Sequence, residues 1–240
     1  MVKDIVYKIY FGITLPLTYF LFVLPAQILN LFGKNESSKK MITLGSELTA
    51  RHYFKATGSS ILIEGLENLP ENIKNLCIVS NHQSYYDILV IIGYIPILAG
   101  FLAKKELSKI PMLNGWMHGM GCIFLDRSSP HAAVKAIKVG VESIQAGNAI
   151  VIFPEGTRSK SQKMGLFKPG SLKLAIRAGA AIVPVSINNS FRIYEENGKV
   201  KKANVKLVIH KPVDVTQDEY KDSKVLSDKL WTTINGGLIQ

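Results

Sequence analysis

Thiols are scarce in this chain, two in 240 residues. Cys77 and Cys122 each fall in an apolar, strand-like run and lack metal-ligand spacing, so they read as reduced core residues of a cytosol-facing domain. No disulfide and no metal site is expected. There is no Gly-x-Ser-x-Gly elbow and neither cysteine neighbours a histidine, so no side-chain Ser or Cys nucleophile is required. The spacing of a Walker phosphate loop is missing, which argues against ATP or GTP. Zinc-finger spacing and an aromatic RNA-binding signature are missing too, which argues against nucleic acid. Internal repeats, low-complexity segments and a second-domain linker in the body are likewise absent. Acidic residues are outnumbered, 18 against 29 Lys and Arg, leaving a formal charge of +11. That excess calls for an anionic partner: nucleic acid, phosphate or a membrane surface.

The position of the charge narrows the choice. Ile9 to Phe32 is apolar apart from a few Thr, Gln and Asn, long enough to span a bilayer, and interrupted by Pro16 and Pro25, which should kink it. It is too long for a signal-peptide core and no small-x-small cleavage site follows. Lys3 and Lys8 flank one end and Lys34, Lys39, Lys40, Arg51 and Lys55 the other, so the positive-inside rule gives no strong asymmetry. Met41 to about Thr57 mixes Met41, Ile42, Leu44 and Leu48 with Arg51, His52 and Lys55, a pattern suited to a membrane surface. We expect residues 1–58 to form a helix pair dipping into one leaflet, in preference to a transmembrane span or a buried core hairpin. The anionic partner is then membrane lipid.

From Ser60 the pattern changes to strands alternating with helices, so residues 59–240 are expected to form an α/β domain, a mixed, mostly parallel sheet flanked by helices. Ile61–Glu64, Leu76–Ser80, Gly121–Leu125, Ala149–Phe153, Ala181–Ile187 and Val205–His210 are the strand candidates. Helices should start near Ser84, Pro130 and Gly170, with a last one over Ser223–Ile234. Gly147 and Gly179 mark helix ends, and Asn197-Gly198 looks like a hairpin turn.

The chemistry-bearing residues sit where these strands end. In Ser80-Asn81-His82-Gln83-Ser84-Tyr85-Tyr86-Asp87 an apolar strand leads into a turn and then a buried helix. On one helix, residues five apart point about 140° from each other. If His82 precedes the helix and Ser84 caps it, the Asp87 carboxylate in the first turn can reach back and accept the imidazole N–H. Ser84-x-x-Asp87 is equally a capping box with Asp in place of Glu, and His82 is then merely structural. Asp126 and Arg127 leave another strand end, as a ligand site or as a surface ion pair. Phe153-Pro154-Glu155-Gly156-Thr157-Arg158-Ser159 has a phosphate-binding composition: Arg158 offers a bidentate grip, Gly156 close backbone approach and Thr157 a hydroxyl. Its bland counterpart is a solvated basic turn. Pro184, inside Val183-Pro184-Val185, should mark an edge, a bulge or an interrupted ladder. Lys104 leaves a short apolar segment and by itself reads as a solvated lysine.

Asn81-His82-x4-Asp87, Gly121-x-x-Phe124-Leu125-Asp126-Arg127, Phe153-Pro154-Glu155-Gly156-Thr157-Arg158-Ser159 and Val183-Pro184-Val185 stand in the order of the four motifs of glycerolipid acyltransferases. The whole resembles the bacterial PlsC-type 1-acyl-sn-glycerol-3-phosphate acyltransferases over roughly Ser60 to Ile187. The resemblance implies that His82 and Asp87 are a catalytic dyad. It places Arg127, Glu155, Gly156, Thr157 and Arg158 at the glycerol phosphate of the acceptor, with Lys104 at an assisting basic position. The fourth motif is linked to the acyl donor or to support of the site. The implied reaction is acyl transfer from an acyl-CoA or acyl carrier protein thioester to the sn-2 hydroxyl of lysophosphatidic acid, giving phosphatidic acid. The thioester is a cosubstrate; no cofactor and no metal is expected. The implied location is the cytoplasmic face of a membrane, held interfacially. Two other readings remain: an acyltransferase or transacylase for another lysophospholipid, and a non-catalytic lipid-binding membrane protein, against which the intact dyad argues.

Overall fold

A computed structural model of the chain describes residues 2–71, 74–126 and 130–239. Its strands are β1 (Ser60–Glu64), β2 (Leu76–Ser80), β3 (Ala99–Lys104), β4 (Ile123–Leu125), β5 (Ala149–Ile152), β6 (Ala181–Asn188), β7 (Asn204–Ile209) and the short β8 (Val213–Asp214). They form one mixed sheet in the order β1-β7-β6-β2-β5-β3-β4, with β8 beside the start of β6. The five from β2 to β6 run parallel. Ser80, Lys104, Leu125, Ile152 and Asn188 therefore all end at one edge of the sheet. β7 and β8 run antiparallel to β6, and β1 is parallel to β7.

Alternation of side chains along each strand feeds two cores. Leu76 and Ile78 of β2, Val151 of β5 and Val183 and Val185 of β6 face one side, packed with Phe54, Val90 and Ile91. Cys77, Val79, Ile150 and Ile182 face the other, packed with Ile144, Leu172, Leu174, Leu226 and Leu230. The first side is covered by α3 (Asn35–Ala56) and α4 (Tyr86–Tyr94), the second by α6 (Pro130–Gln145), α7 (Pro169–Ala178) and α8 (Ser223–Gly236). Helices on both faces explain why the parallel strands are apolar throughout.

The amino-terminal helices begin earlier than expected. α1 (Val2–Thr18) passes through a π-helical segment, Tyr19–Val23, into α2 (Leu24–Leu31). Pro25 has no N–H for the i−4 carbonyl, and the ladder widens so that Leu24 N–H reaches the Tyr19 carbonyl. α3 starts at Asn35 rather than near Met41, and it is bound to the body: Ala50, Tyr53 and Phe54 are buried, and Arg51 Nε donates to the Gly93 carbonyl of α4.

Three details depart from the sequence reading. β3 and the short helix α5 (Leu113–Gly119) were not expected. Asn197-Gly198 turns within a long connection, residues 189–203, and not in a tight hairpin, although β6 and β7 are antiparallel. Pro184 lies in an interior strand, not at an edge, and realises the interrupted-ladder alternative. Its carbonyl accepts from His210 N–H at 2.9 Å, so the N–H it lacks would point the same way, toward the break between β7 and β8.

Candidate active site

The turn leaving β2 is fixed first by Asn81. Its side-chain amide donates to the Ile187 carbonyl and accepts from the Ile187 N–H, both at 2.8 Å, continuing the β2–β6 ladder past its last backbone pair. His82 follows, with its backbone clamped on both sides: its N–H donates to Glu155 Oε1 at 2.6 Å and its carbonyl accepts from Ser159 N–H at 2.8 Å. Its imidazole lies over the Phe153 ring, with centroids 4.1 Å apart and planes 15° from parallel.

α4 begins at Tyr86, slightly later than the sequence indicated, and Asp87 occupies its first turn. Asp87 Oδ2 accepts from His82 Nδ1 at 2.8 Å, from Gln83 N–H at 2.7 Å and from Ser84 N–H at 2.8 Å. Oδ1 accepts from the Ser190 hydroxyl. The side chain is wholly buried, whereas that of His82 is 16% exposed. With Nδ1 donating to a carboxylate, the imidazole presents Nε2 as its lone-pair nitrogen, and among the described residues Nε2 has no hydrogen-bond partner.

The loop after β5 closes over this pair. Gly156 turns it with φ of 72°, a conformation that favours glycine. Glu155 is buried, with Oε1 on His82 N–H and Oε2 on Gly165 N–H at 2.8 Å. Burial pushes its carboxyl above the ordinary range while those two N–H bonds pull the other way. Both oxygens face the main chain, so Glu155 joins the histidine turn to the far end of its own loop. Thr157 is exposed on the rim.

Arg158 is held on a face and on an edge. Its guanidinium carbon stands 3.4 Å from the Tyr85 ring centroid, and Nη1 donates to Glu195 Oε1 at 2.8 Å. Glu195 also accepts from Tyr85 N–H at 2.9 Å and from the Ser84 hydroxyl. Lys104 ends β3 on the same sheet edge and is exposed. Asp126 follows β4 and pairs with Lys105 at 3.2 Å. Arg127 lies outside the described residues. The structure thus joins His82, Asp87 and Glu155 by direct hydrogen bonds and ties Arg158 to the same turn through Tyr85 and Glu195, with Gly156 and Thr157 on the loop between Glu155 and Arg158 and Lys104 on the shared edge.

Phe153, Ser190 and Glu195 escaped the sequence reading. Phe153 had a signal: it follows Val151 by two residues, which puts it on the α4 side of the sheet with His82. Ser190 and Glu195 had none, since both reach the turn through space from the segment after β6. The thiols stand apart from this chemistry. Burial pushes the Cys122 thiol up to about 11 and raises Cys77 further, so both stay protonated near neutrality. Among the described residues no three His, Cys, Asp or Glu side chains are grouped to hold a metal ion.

A family model described as Acyltransferase matches residues 60–188, the span that carries all but the last part of this geometry. The 1-acyl-sn-glycerol-3-phosphate acyltransferase of Borreliella burgdorferi is 33% identical over 172 residues, covering 71% of this chain and 68% of that protein. A chloroplastic protein of the same description from Arabidopsis thaliana is 36% identical over 155 residues, 64% of this chain and 43% of its own length. The chain spans less than half of that protein and of its Brassica napus counterpart, of which 44% is covered. In three dimensions the crystal structure of the 1-acyl-sn-glycerophosphate acyltransferase PlsC from Thermotoga maritima superposes with a TM-score of 0.84. It is 28% identical, and the match covers 98% of this chain and 95% of that one. The matched span is more than half of the chain, and the chain belongs to the acyltransferase family.

Proposed function

We propose that this protein transfers a fatty acyl group from an acyl thioester to the sn-2 hydroxyl of 1-acyl-sn-glycerol-3-phosphate, forming phosphatidic acid. The observation that carries the reading is the His82–Asp87 pair: an imidazole tied at Nδ1 to a buried carboxylate, with Nε2 unengaged among the described residues and the His82 carbonyl bonded to the Arg158 loop at Ser159 N–H. Nε2 removes the hydroxyl proton as the oxygen attacks the thioester carbonyl. The new C–O bond forms, the C–S bond breaks, and the proton passes from Nε2 to the departing sulfur. Asp87 holds the tautomer and offsets the charge on the imidazolium, the kind of assistance that is worth ~10² to 10⁴ in rate. The protonated, buried thiols support direct transfer over an acyl-cysteine route. Arg158 supplies the charge-assisted contact to the acceptor phosphate, with Gly156, Thr157, Lys104 and Arg127 contributing to that side and Glu155 shaping the loop.

The reading includes a membrane surface. Ile5–Leu31 is a 27-residue helical stretch of mean hydropathy 1.7 with 11% of its apolar window buried. Val6, Ile9, Ile13, Leu17, Phe20, Leu24, Ile28 and Leu31 are exposed at spacings of three and four, one continuous stripe. The opposite side, through Leu15, Tyr19, Phe22 and Val23, packs on Ile42 and Trp116. A helix covered by protein along one face and apolar along the other fits a leaflet surface better than a lipid-surrounded span. We therefore take residues 1–58 as the membrane-facing unit, in which α1 and α2 form a monotopic anchor on the cytoplasmic face and α3 ties it to the acyltransferase domain of residues 59–240. The test is a detergent-micelle assay of the full chain with lysophosphatidic acid and either acyl-CoA or acyl carrier protein thioester, the product identified by mass spectrometry. Phosphatidic acid is expected. Turnover with lysophosphatidylcholine alone would move the activity to another lysophospholipid, and no thiol release with any acceptor would make the protein a lipid binder.

A further inference from the structure

Glu195 lies outside every motif of the chain and beyond the span matched by the family model. It follows the 3₁₀ turn Ser190–Ile193 after β6, yet its carboxylate reaches the start of α4. We infer that Glu195 is a positioning residue for the acceptor's phosphate group, holding the Arg158 guanidinium in the orientation that receives it; this rests on the acyltransferase reading above.

The geometry separates this contact from an ordinary surface ion pair. Side-chain exposure is 3% for Glu195 and 21% for Arg158. Oε1 is shared by Tyr85 N–H and Arg158 Nη1, and Oε2 receives the Ser84 hydroxyl, so the carboxylate is fixed before Arg158 arrives. Tyr85, 58% exposed, backs the guanidinium plane. An arginine free to rotate pays side-chain entropy when it binds an anion; one gripped on a face and an edge does not. A guanidinium has five N–H donors, and among the described residues only Nη1 is engaged in a hydrogen bond. The remaining fork is left for a phosphate. Glu195 also binds the residues on either side of the Ser84–Tyr85 peptide, with only Tyr86 between them and Asp87, so the phosphate grip and the general-base pair share one scaffold.

Glu195 has two opposed effects on an incoming phosphate. Its negative charge repels the anion, while its clamp orients the guanidinium. If the charge dominated, removing it would lower the KM for the acceptor; if the clamp dominates, KM rises. We expect the clamp to dominate, because the carboxylate is neutralised by the arginine it holds.

The test is steady-state kinetics of Glu195→Gln and Glu195→Ala in the full chain with lysophosphatidic acid. Glutamine keeps an acceptor oxygen for Tyr85 N–H and Arg158, so it isolates the loss of charge from a failure to fold. From the difference between charged and neutral hydrogen bonds, KM for the acceptor should rise about fivefold in Glu195→Gln and roughly tenfold or more in Glu195→Ala. In Glu195→Gln, which keeps the acceptor for Tyr85 N–H, kcat should stay within about twofold and the KM for the thioester should not move. Adding Glu195→Gln to Arg158→Ala should change acceptor KM no further than Arg158→Ala alone does. A purely structural role would instead lower kcat through the Asp87 turn and persist in the Arg158→Ala background. An unchanged or lower acceptor KM in Glu195→Gln, or an effect undiminished by Arg158→Ala, overturns the inference. If the wild-type protein makes no phosphatidic acid, the functional reading fails and takes this one with it. If the wild type is active and Arg158→Ala raises acceptor KM while Glu195→Gln does not, Glu195 alone is refuted.

Discussion

Asp87→Asn is the substitution that separates charge from geometry at the proposed base. Asp87 Oδ2 receives three donors, His82 Nδ1 and the Gln83 and Ser84 N–H groups, and Oδ1 receives the Ser190 hydroxyl. An asparagine must put its oxygen at the Oδ2 position, because its NH₂ group there would meet three donors. The NH₂ then faces Ser190, whose hydroxyl can turn to accept it and donate to Gln83 Oε1, 3.4 Å away. The imidazole keeps its tautomer and the helix its cap. What disappears is the interaction of a carboxylate with the imidazolium formed during transfer. Two unit charges about 4 Å apart at an effective dielectric near 20 interact by about 4 kcal/mol. At about 1.4 kcal/mol per decade that is roughly 10³ in rate. We therefore expect kcat to fall about 10³-fold, with KM for both substrates nearly unchanged and Tm close to wild type. Continuous thiol release from acyl-CoA with lysophosphatidic acid in micelles measures kcat, and a circular-dichroism melt checks the fold. A well-folded Asp87→Asn protein within tenfold of wild-type kcat would remove the carboxylate from the mechanism and leave it a helix cap.

Three other perturbations read different parts of the molecule. Glu155→Gln places an NH₂ group against either His82 N–H or Gly165 N–H, leaving a buried donor unmet at roughly 1–3 kcal/mol; a displaced His82 turn should reduce kcat by up to about 10²-fold, and unchanged kcat would show that Glu155 does not govern that turn. His210 is lowered by burial from its ordinary 6.5, and its Nε2–H donates to Ser186 Oγ, which itself donates to the Ile234 carbonyl. The folded state favours neutral His210, so stability is full above pH 6.5 and declines as pH falls below it toward the lowered value; Tm measured from pH 7.5 to 5.5 should fall less steeply in His210→Gln, and parallel curves would refute the assignment. Deleting residues 1–33 removes α1 and α2 but keeps α3, whose Ala50, Tyr53 and Phe54 belong to the body. Vesicle co-sedimentation should be lost, and activity should fall further on long-chain than on short, soluble acceptors, since each buried CH₂ holds a chain to the bilayer by ~0.8 kcal/mol; retained sedimentation with equal losses would refute the interfacial anchor.

What was legible in the sequence was local. β2, the turn and α4 form one continuous stretch, and an apolar run, a capping serine and an acid in the first turn fix their order. β3 was hidden because Ile95 to Ala103 is apolar with almost no alternation, and Gly100 reads as a breaker. In the fold Gly100 is a close approach, where a Cβ would stand 2.2 Å from the Gly121 carbonyl oxygen. α5 is hidden for the same physical reason: Gly115 and Gly119 depress helix propensity, yet a side chain at either would run into Tyr19 or Ile42. Glu195 was invisible for a different reason. It is separated from Arg158 by 37 positions and from Tyr85 by 110, and no periodicity along the chain encodes such a meeting.

The competing readings of Ser84-x-x-Asp87 turn out to be one geometry. Asp87 accepts the Ser84 N–H as a capping-box acid does, and the same oxygen accepts His82 Nδ1. No inspection of residue types could separate them, because the cap is what aims the carboxylate at the histidine. The distinction comes from burial. A capping acid can stabilise a helix from a solvated position, typically by about 0.5–2 kcal/mol, with no need to leave water. Asp87 is instead wholly buried, at a desolvation cost that a cap does not require, and four donors surround it. One of those donors is an imidazole whose other nitrogen has no hydrogen-bond partner among the described residues, on a turn that is bonded to the Arg158 loop through Ser159 N–H. Capping accounts for one or two of these contacts; the proposed role, holding His82 as a proton acceptor, accounts for all of them.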